Sequence, residues 1–207
     1  METPQFPRRD PADAEFWDLR YDARFAPWDA GRVPAQLRAF VDRAGAPRRV
    51  LIPGCGSAYE VGYLAGKGWD VRGIDFSQAA VRAAAAILGP HAARVRQADF
   101  FAPIEGAPFE MVYERAFLCA LPRRLWPAWG RRVAGLVAPG GLLAGYFYFD
   151  AGERGPPFPL HSGDELAQLL VGFARIEDAP VDDSIPVFQG KERWQVWQRL
   201  GTDCIQA

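Results

Sequence analysis

Histidine occurs twice and cysteine three times in 207 residues, and both scarcities close off chemistry at the outset. Cys55, Cys119 and Cys204 are odd in number, widely spaced and free of any CxxC pairing, which argues against a disulfide framework and against a zinc site. No metal is expected. A nucleophilic Cys55 would need an activating base, and neither His91 nor His161 stands in a motif that ties it to that thiol. Charge of one sign is also missing. With 24 basic and 25 acidic residues the net charge is −1, so no strong positive field exists to recruit nucleic acid or anionic lipid. The pairs Arg48-Arg49, Arg123-Arg124 and Arg131-Arg132 read as solvated edges. No apolar run approaches the ~18 residues of a membrane span. The first twenty residues, with Pro4, Pro7, Arg8, Arg9, Asp10 and Pro11, lack the apolar centre of a secretory signal. These absences predict a cytoplasmic protein, monomeric, that acts on a small molecule rather than on nucleic acid or a membrane.

A hydrophobic content of 49% is enough for a continuous core, and the length predicts a single domain over residues 1–207, with 1–33 as an N-terminal cap. Short apolar runs alternate with helical patterns, which predicts an α/β fold: a mostly parallel sheet with helices on both faces. The strand candidates are 49–53, 70–74, 94–97, 110–113 and 142–149. Helices are expected at 58–66, from a Ser77 cap to Leu88, from Pro122 to about Val137 where Pro139-Gly140-Gly141 stops it, and from a Ser162/Glu165 capping box through Leu170. The runs 174–179 and 193–200 read as an antiparallel hairpin added at the sheet edge. Ahead of the first strand, 13–24 is expected to be a helix carrying Phe16, Trp17 and Tyr21, packed over the sheet as an extra layer.

The most informative motif is Val50-Leu51-Ile52-Pro53-Gly54-Cys55-Gly56, followed nineteen residues after Gly56 by Asp75 at the end of the next apolar run. A buried strand, a glycine turn opening a helix and a second strand ending in a carboxylate is how an α/β sheet holds an adenosine-containing ligand. A dinucleotide fingerprint requires a third glycine where this chain has Tyr59, which disfavours a nicotinamide-dependent oxidoreductase. Glycines at Gly54 and Gly56 alone suit a ligand without phosphates, such as S-adenosylmethionine. Asp75 can accept from both ribose hydroxyls, or serve only as an acid beside the helix start. Asp99 can accept from the adenine amino group, with Phe100 or Phe101 stacking on the ring or simply filling core.

The blocks Phe16-Trp17, Pro27-Trp28-Asp29-Ala30-Gly31-Arg32, Ile52-Pro53-Gly54-Cys55-Gly56, Asp99-Phe100, Tyr113-Glu114-Arg115-Ala116 and Gly155-Pro156-Pro157-Phe158 together resemble the thiopurine S-methyltransferase family, which includes plant-type halide and thiol methyltransferases. The resemblance implies a Rossmann-like class I methyltransferase fold, with a seven-stranded sheet holding one antiparallel strand. It also implies S-adenosylmethionine as methyl donor and S-adenosylhomocysteine as product. Carried over by position, Trp17, Tyr21 and Trp28 lie near the cofactor, Gly54, Gly56 and Asp75 hold its amino-acid and ribose parts, and Asp99 with Phe100 its adenine. Phe76 and Glu114 are assigned to the same cofactor set. Tyr21 stands where relatives commonly carry tryptophan.

Elementary chemistry agrees with that picture. Aromatic faces attract a sulfonium cation by roughly 0.5 to 2 kcal/mol each, while the same three rings can staple the cap to the sheet. The sequence offers no convincing general base. A thiolate or halide arrives already ionised and needs none, so proximity and water exclusion are expected to carry the reaction, with no catalytic side chain. Arg115 is the candidate for drawing in an anionic acceptor, or else forms an ion pair with Glu114 or Glu110. Phe158 lines the acceptor pocket or covers the core as part of a turn. The function expected is methyl transfer to a small thiol, a thiopurine or another soft anion, with halide or thiocyanate transfer, nicotinamide-linked oxidoreduction and non-catalytic cofactor binding as alternatives.

Overall fold

A computed structural model describes residues 4–201. Cys204, the third cysteine of the sequence argument, lies outside the described residues. Thirteen regular elements follow one another: α1 (Ala14–Asp22), α2 (Ala35–Arg43), β1 (Arg49–Pro53), α3 (Tyr59–Gly66), β2 (Asp70–Asp75), α4 (Gln78–Leu88), β3 (Val95–Gln97), β4 (Phe109–Arg115), α5 (Trp126–Leu136), β5 (Val137–Tyr148), α6 (Gly163–Leu169), β6 (Phe173–Pro180) and β7 (Glu192–Arg199). The strands form one sheet in the order β3-β2-β1-β4-β5-β7-β6, parallel except for β7, which runs antiparallel to both β5 and β6. The late pair is therefore a hairpin, as the alternation predicts, but its second strand inserts against β5 and leaves β6 at the edge.

Both sheet faces are covered because successive strand residues point to opposite sides. Val50, Ile52, Met111, Tyr113, Trp194 and Val196 pack into one core with α2 and α3. Leu51, Val112, Leu143 and Trp197 pack into the other with α5 and α6. Ser77 caps α4 by accepting from the Ala80 amide at 3.0 Å, and Ser162 caps α6 by accepting from Glu165 at 3.2 Å, contacts worth about 1 kcal/mol apiece.

Three expectations need correction. Residues 123–125 form a 3-10 turn, and α5 starts only at Trp126, with Pro127 in its first turn. Pro139-Gly140-Gly141 does not end that helix; α5 stops at Leu136, and the triplet is an irregularity inside β5, where the register with β4 shifts. A Cβ on Gly141 would come within 2.9 Å of the Glu110 carbonyl oxygen, so a side chain cannot replace it. Helix α2 was not anticipated, although Leu37, Phe40 and Val41 form its buried stripe.

The N-terminal layer is tied to the sheet by carboxylates. Asp18 accepts from the Ser77 hydroxyl at 2.7 Å and from the Ala79 amide at 2.9 Å, which places a negative charge at the start of α4 where the helix dipole favours it. Asp22 pairs with Arg82 at 2.9 Å farther along the same helix.

Candidate active site

A cavity of about 650 Å³ opens at the carboxyl ends of β1, β2 and β4, beneath the N-terminal layer. That is the edge at which parallel α/β sheets bind ligands, and the volume lies inside the ~300 to 1,000 Å³ of ordinary ligand pockets.

The floor is the turn after β1. Gly54 and Gly56 both adopt left-handed backbone, φ +56° and +52°, which glycine accepts without strain. A Cβ on Gly54 would lie 2.4 Å from the Phe117 ring, and one on Gly56 would lie 2.5 Å from the Tyr21 hydroxyl. The two glycines therefore let the Phe117 ring and the Tyr21 hydroxyl close in on bare backbone at the cavity floor. Asp75 closes β2 beside them. Its Oδ2 accepts from the Gly56 amide at 3.0 Å and its Oδ1 from the Ser77 amide at 2.9 Å. A carboxylate offers about four acceptor positions, and with the Phe76 amide also acting on it at least one stays open to a ligand. Burial pushes the Asp75 pKa up to about 6, against the opposing pull of the Ser77 and Gly56 amides.

Phe76, Asp99, Phe100 and Phe101 form the adjoining wall. Asp99 is exposed, and its Oδ1 accepts from the Phe101 amide at 2.9 Å. Phe100 is buried against Phe117, ring centroids 5.1 Å apart, whereas Phe101 is only half-buried. The roof comes from the cap. Trp28 meets Trp17 and Tyr21 edge-on at 5.3 and 6.0 Å, and the Trp17 indole donates to the Pro11 carbonyl at 2.8 Å, so the three rings hold one another in place. Asp29 accepts a hydrogen bond from Ser57 of the glycine turn, joining roof to floor.

Arg115 borders the far end. Its guanidinium donates to Glu192 Oε1 at 2.5 Å and sits 4.5 Å from the Tyr146 ring centroid; neither Glu114 nor Glu110 is its partner. Glu192 is buried and its other oxygen accepts from Ser184 at 2.6 Å. Phe188 packs with Ile185 and Cys119 against Trp28, so the segment between β6 and β7 meets the cap over this end. Burial raises the thiols of Cys55 and Cys119, keeping both protonated and unreactive.

Ten of the twelve sequence-nominated residues thus border one cavity: Trp17, Tyr21, Trp28, Gly54, Gly56, Asp75, Phe76, Asp99, Phe100 and Arg115. Two do not. Glu114 points to the opposite face of β4 from Arg115, where its Oε1 accepts from the Phe117 and Leu118 amides at 2.8 and 3.1 Å and burial raises its pKa to about 7. It shapes the turn under the site rather than the cavity wall. Phe158 folds back into the core beside α5, its amide donating to the Cys119 carbonyl at 2.6 Å, and Pro156 and Pro157 border the cavity in its place. Sequence reasoning missed Glu60, Phe117, Phe188 and Glu192. Of these only Glu60 carried a local signal, its place in the first turn after the glycines.

Comparison with known proteins fits the geometry. The family model described as thiopurine S-methyltransferase matches residues 12–200. A probable thiol methyltransferase 2 of Arabidopsis thaliana is 28% identical, covering 90% of this chain and 85% of the relative. A thiopurine S-methyltransferase of Vibrio cholerae is 32% identical, covering 77% and 82%. Among solved structures, magnesium protoporphyrin IX methyltransferase from Synechocystis with bound S-adenosylmethionine superposes with a TM-score of 0.70 at 16% identity, covering 94% of this chain and all of that one, a likeness of fold. The glycine turn, the carboxylate at the end of β2 and the aromatic roof, all on one cavity, fit S-adenosylmethionine. The chain belongs to the thiopurine S-methyltransferase family, and is an S-adenosylmethionine-dependent methyltransferase of the class I fold.

Proposed function

We propose that the chain methylates a small thiol, a thiopurine-like thiol or another soft anionic nucleophile by direct in-line transfer, working as a monomeric cytoplasmic enzyme of one domain. The observation that carries this reading is the character of the far end of the cavity. Ala116, Cys119, Pro156, Pro157 and Phe188 line the cavity along with Arg115, apolar neighbours for a guanidinium. A soft, polarisable anion suits such surroundings better than a strongly hydrated one. The names of relatives, which include thiol, thiocyanate and thiopurine methyltransferases, lean the same way. Halide or thiocyanate is the second reading, supported by the longer match to the plant proteins, which covers about 90% of this chain.

S-adenosylmethionine, when bound, supplies an electrophilic methyl group on a sulfonium cation. The protein's part is binding, orientation and dryness. Gly54 and Gly56 admit the ligand against the backbone, Asp75 accepts from the ribose, and Asp99 with Phe76 or Phe100 takes the adenine. Trp17, Tyr21 and Trp28 turn aromatic faces and edges toward the cationic region and keep water out. Arg115 holds the acceptor's negative charge, while Glu192 keeps the guanidinium in place. Charge is lost as anion and cation combine, so a dry site speeds the step and positioning contributes the rest. Arg115→Ala is expected to raise the KM for the acceptor more than that for the cofactor.

A methyl-transfer screen with labelled S-adenosylmethionine tests the proposal, using aromatic thiols, thiopurines, hydrogen sulfide, thiocyanate and iodide against oxygen and nitrogen acceptors. Turnover is expected on the sulfur compounds. Turnover confined to oxygen or nitrogen acceptors would overturn it.

A further inference from the structure

Glu60 occupies the first turn of α3, is half-buried, and lines the cavity together with Arg115. Among the described residues its one hydrogen-bond donor is its own backbone amide. The charges around it do not balance. Arg115 is the cation that acts on it, yet that guanidinium is already bound to Glu192 at 2.5 Å, and Asp29 adds negative charge from the cap. The other titratable groups facing it, Tyr113, Tyr59 and Cys55, are neutral and have their pKa values raised by burial. Arg115 is thus committed to Glu192, and Glu60 has no ion-pair partner among the described residues. Burial raises its pKa against the opposing pull of Arg115. A half-buried carboxylate on the cavity wall with no donor from another side chain is open to a proton or a hydrogen bond from whatever enters the cavity.

We propose that Glu60 is the proton acceptor for a thiol that enters the site with its S–H intact, which makes neutral thiols rather than halide ions the substrate class of this site. The inference rests on the soft-nucleophile reading above and narrows it. The S–H bond breaks, the proton passes to a Glu60 carboxylate oxygen, and the electron pair stays on sulfur. The thiolate, facing Arg115, is then the species that is methylated, and Glu60 releases its proton to water when the product leaves. Ordinary thiols have pKa values near 8.5 and are mostly protonated at neutral pH, and apolar surroundings make them more so. A base at the point of reaction is therefore worth having, and one whose pKa is raised toward that of the thiol is the more effective.

The test compares wild type with Glu60→Gln on two acceptors, an alkyl thiol and a nitro-substituted aromatic thiol already ionised at neutral pH. Glu60→Gln is expected to lower kcat/KM for the alkyl thiol about 10²-fold and to leave that for the ionised thiol unchanged. The alkyl-thiol rate in the variant should then climb with pH until the thiol itself ionises, and calorimetric affinity for S-adenosylmethionine should stay as in wild type. Glu60→Asp, which keeps an acid, is expected to retain part of the alkyl-thiol rate if Gln compromises folding. Equal losses on both thiols, loss on neither, an Asp variant that no longer favours the alkyl thiol over the Gln variant's level, or weakened cofactor binding would each overturn the proposal. Wild-type protein inactive on both thiols but active on iodide would instead overturn the thiol reading on which it rests.

Discussion

The two ends of the cavity are built by different means. At the end proposed for the donor the shape is set by backbone: Gly54 and Gly56 in left-handed conformation, two amides fixed on Asp75, and a strand-to-helix turn held by the parallel sheet. At the end proposed for the acceptor it is set by side chains from distant segments. Arg115 meets Glu192 across 77 residues, and Trp28 meets Phe188 where the cap touches the segment between β6 and β7. A backbone site tolerates little change in sequence, whereas one assembled from side chains can change its acceptor by replacing a few residues.

The largest effect expected from breaking this contrast lies at the acceptor end. Glu192→Ala would remove the ion-pair partner of the buried Arg115 guanidinium, and removing one partner of such a pair typically costs about 3 to 5 kcal/mol. Denaturant unfolding should show a loss of that size; a loss under about 1 kcal/mol would mean that water already reaches the pair. At the donor end, Asp75 predicts a pH dependence of comparable size. Its folded pKa of about 6 exceeds the ordinary 3.8, so the folded protein keeps a proton that the unfolded chain has already released. Without ligand, its contribution is full below about pH 4 and lost as pH rises through about 6, a swing of about 3 kcal/mol. Asp75→Asn should remove that component from the pH series of melting temperatures.

Gly54→Ala should weaken S-adenosylmethionine binding about 10²-fold by titration, since left-handed backbone and the Phe117 ring 2.4 Å from the new Cβ both oppose it; backbone strain alone accounts for about 1 to 3 kcal/mol. Trp28→Leu should act more mildly, about 0.5 to 2 kcal/mol in cofactor affinity. A larger rise in the acceptor KM than in the cofactor Kd would assign that ring chiefly to the acceptor end and sharpen the contrast.

Legibility in the sequence followed the same division. The glycine turn and Asp75 could be read because backbone conformation demands those residues at fixed spacing, and the strands around them because apolar runs bounded by turns have few other uses. Glu114 was misplaced because its position at the end of β4 was clear but its sheet face was not; one step along a strand reverses the side chain, and Arg115 took the cavity. Glu192 could not be found, since nothing local distinguishes it from the other acids of a strand start. Pro139-Gly140-Gly141 looked like a helix stop because its real constraint, the Glu110 carbonyl of the neighbouring strand, is not local. Helix α2, interrupted by Arg38 and introduced by Pro34, hid its stripe in a short segment.

The most direct measurement is a crystal structure of the complex with S-adenosylhomocysteine. Both ribose hydroxyls should lie within hydrogen-bond distance of Asp75, with the adenine amino group at Asp99 and the homocysteine sulfur facing Arg115 and Glu60. A ligand whose ribose leaves Asp75 without contact would contradict the donor site described.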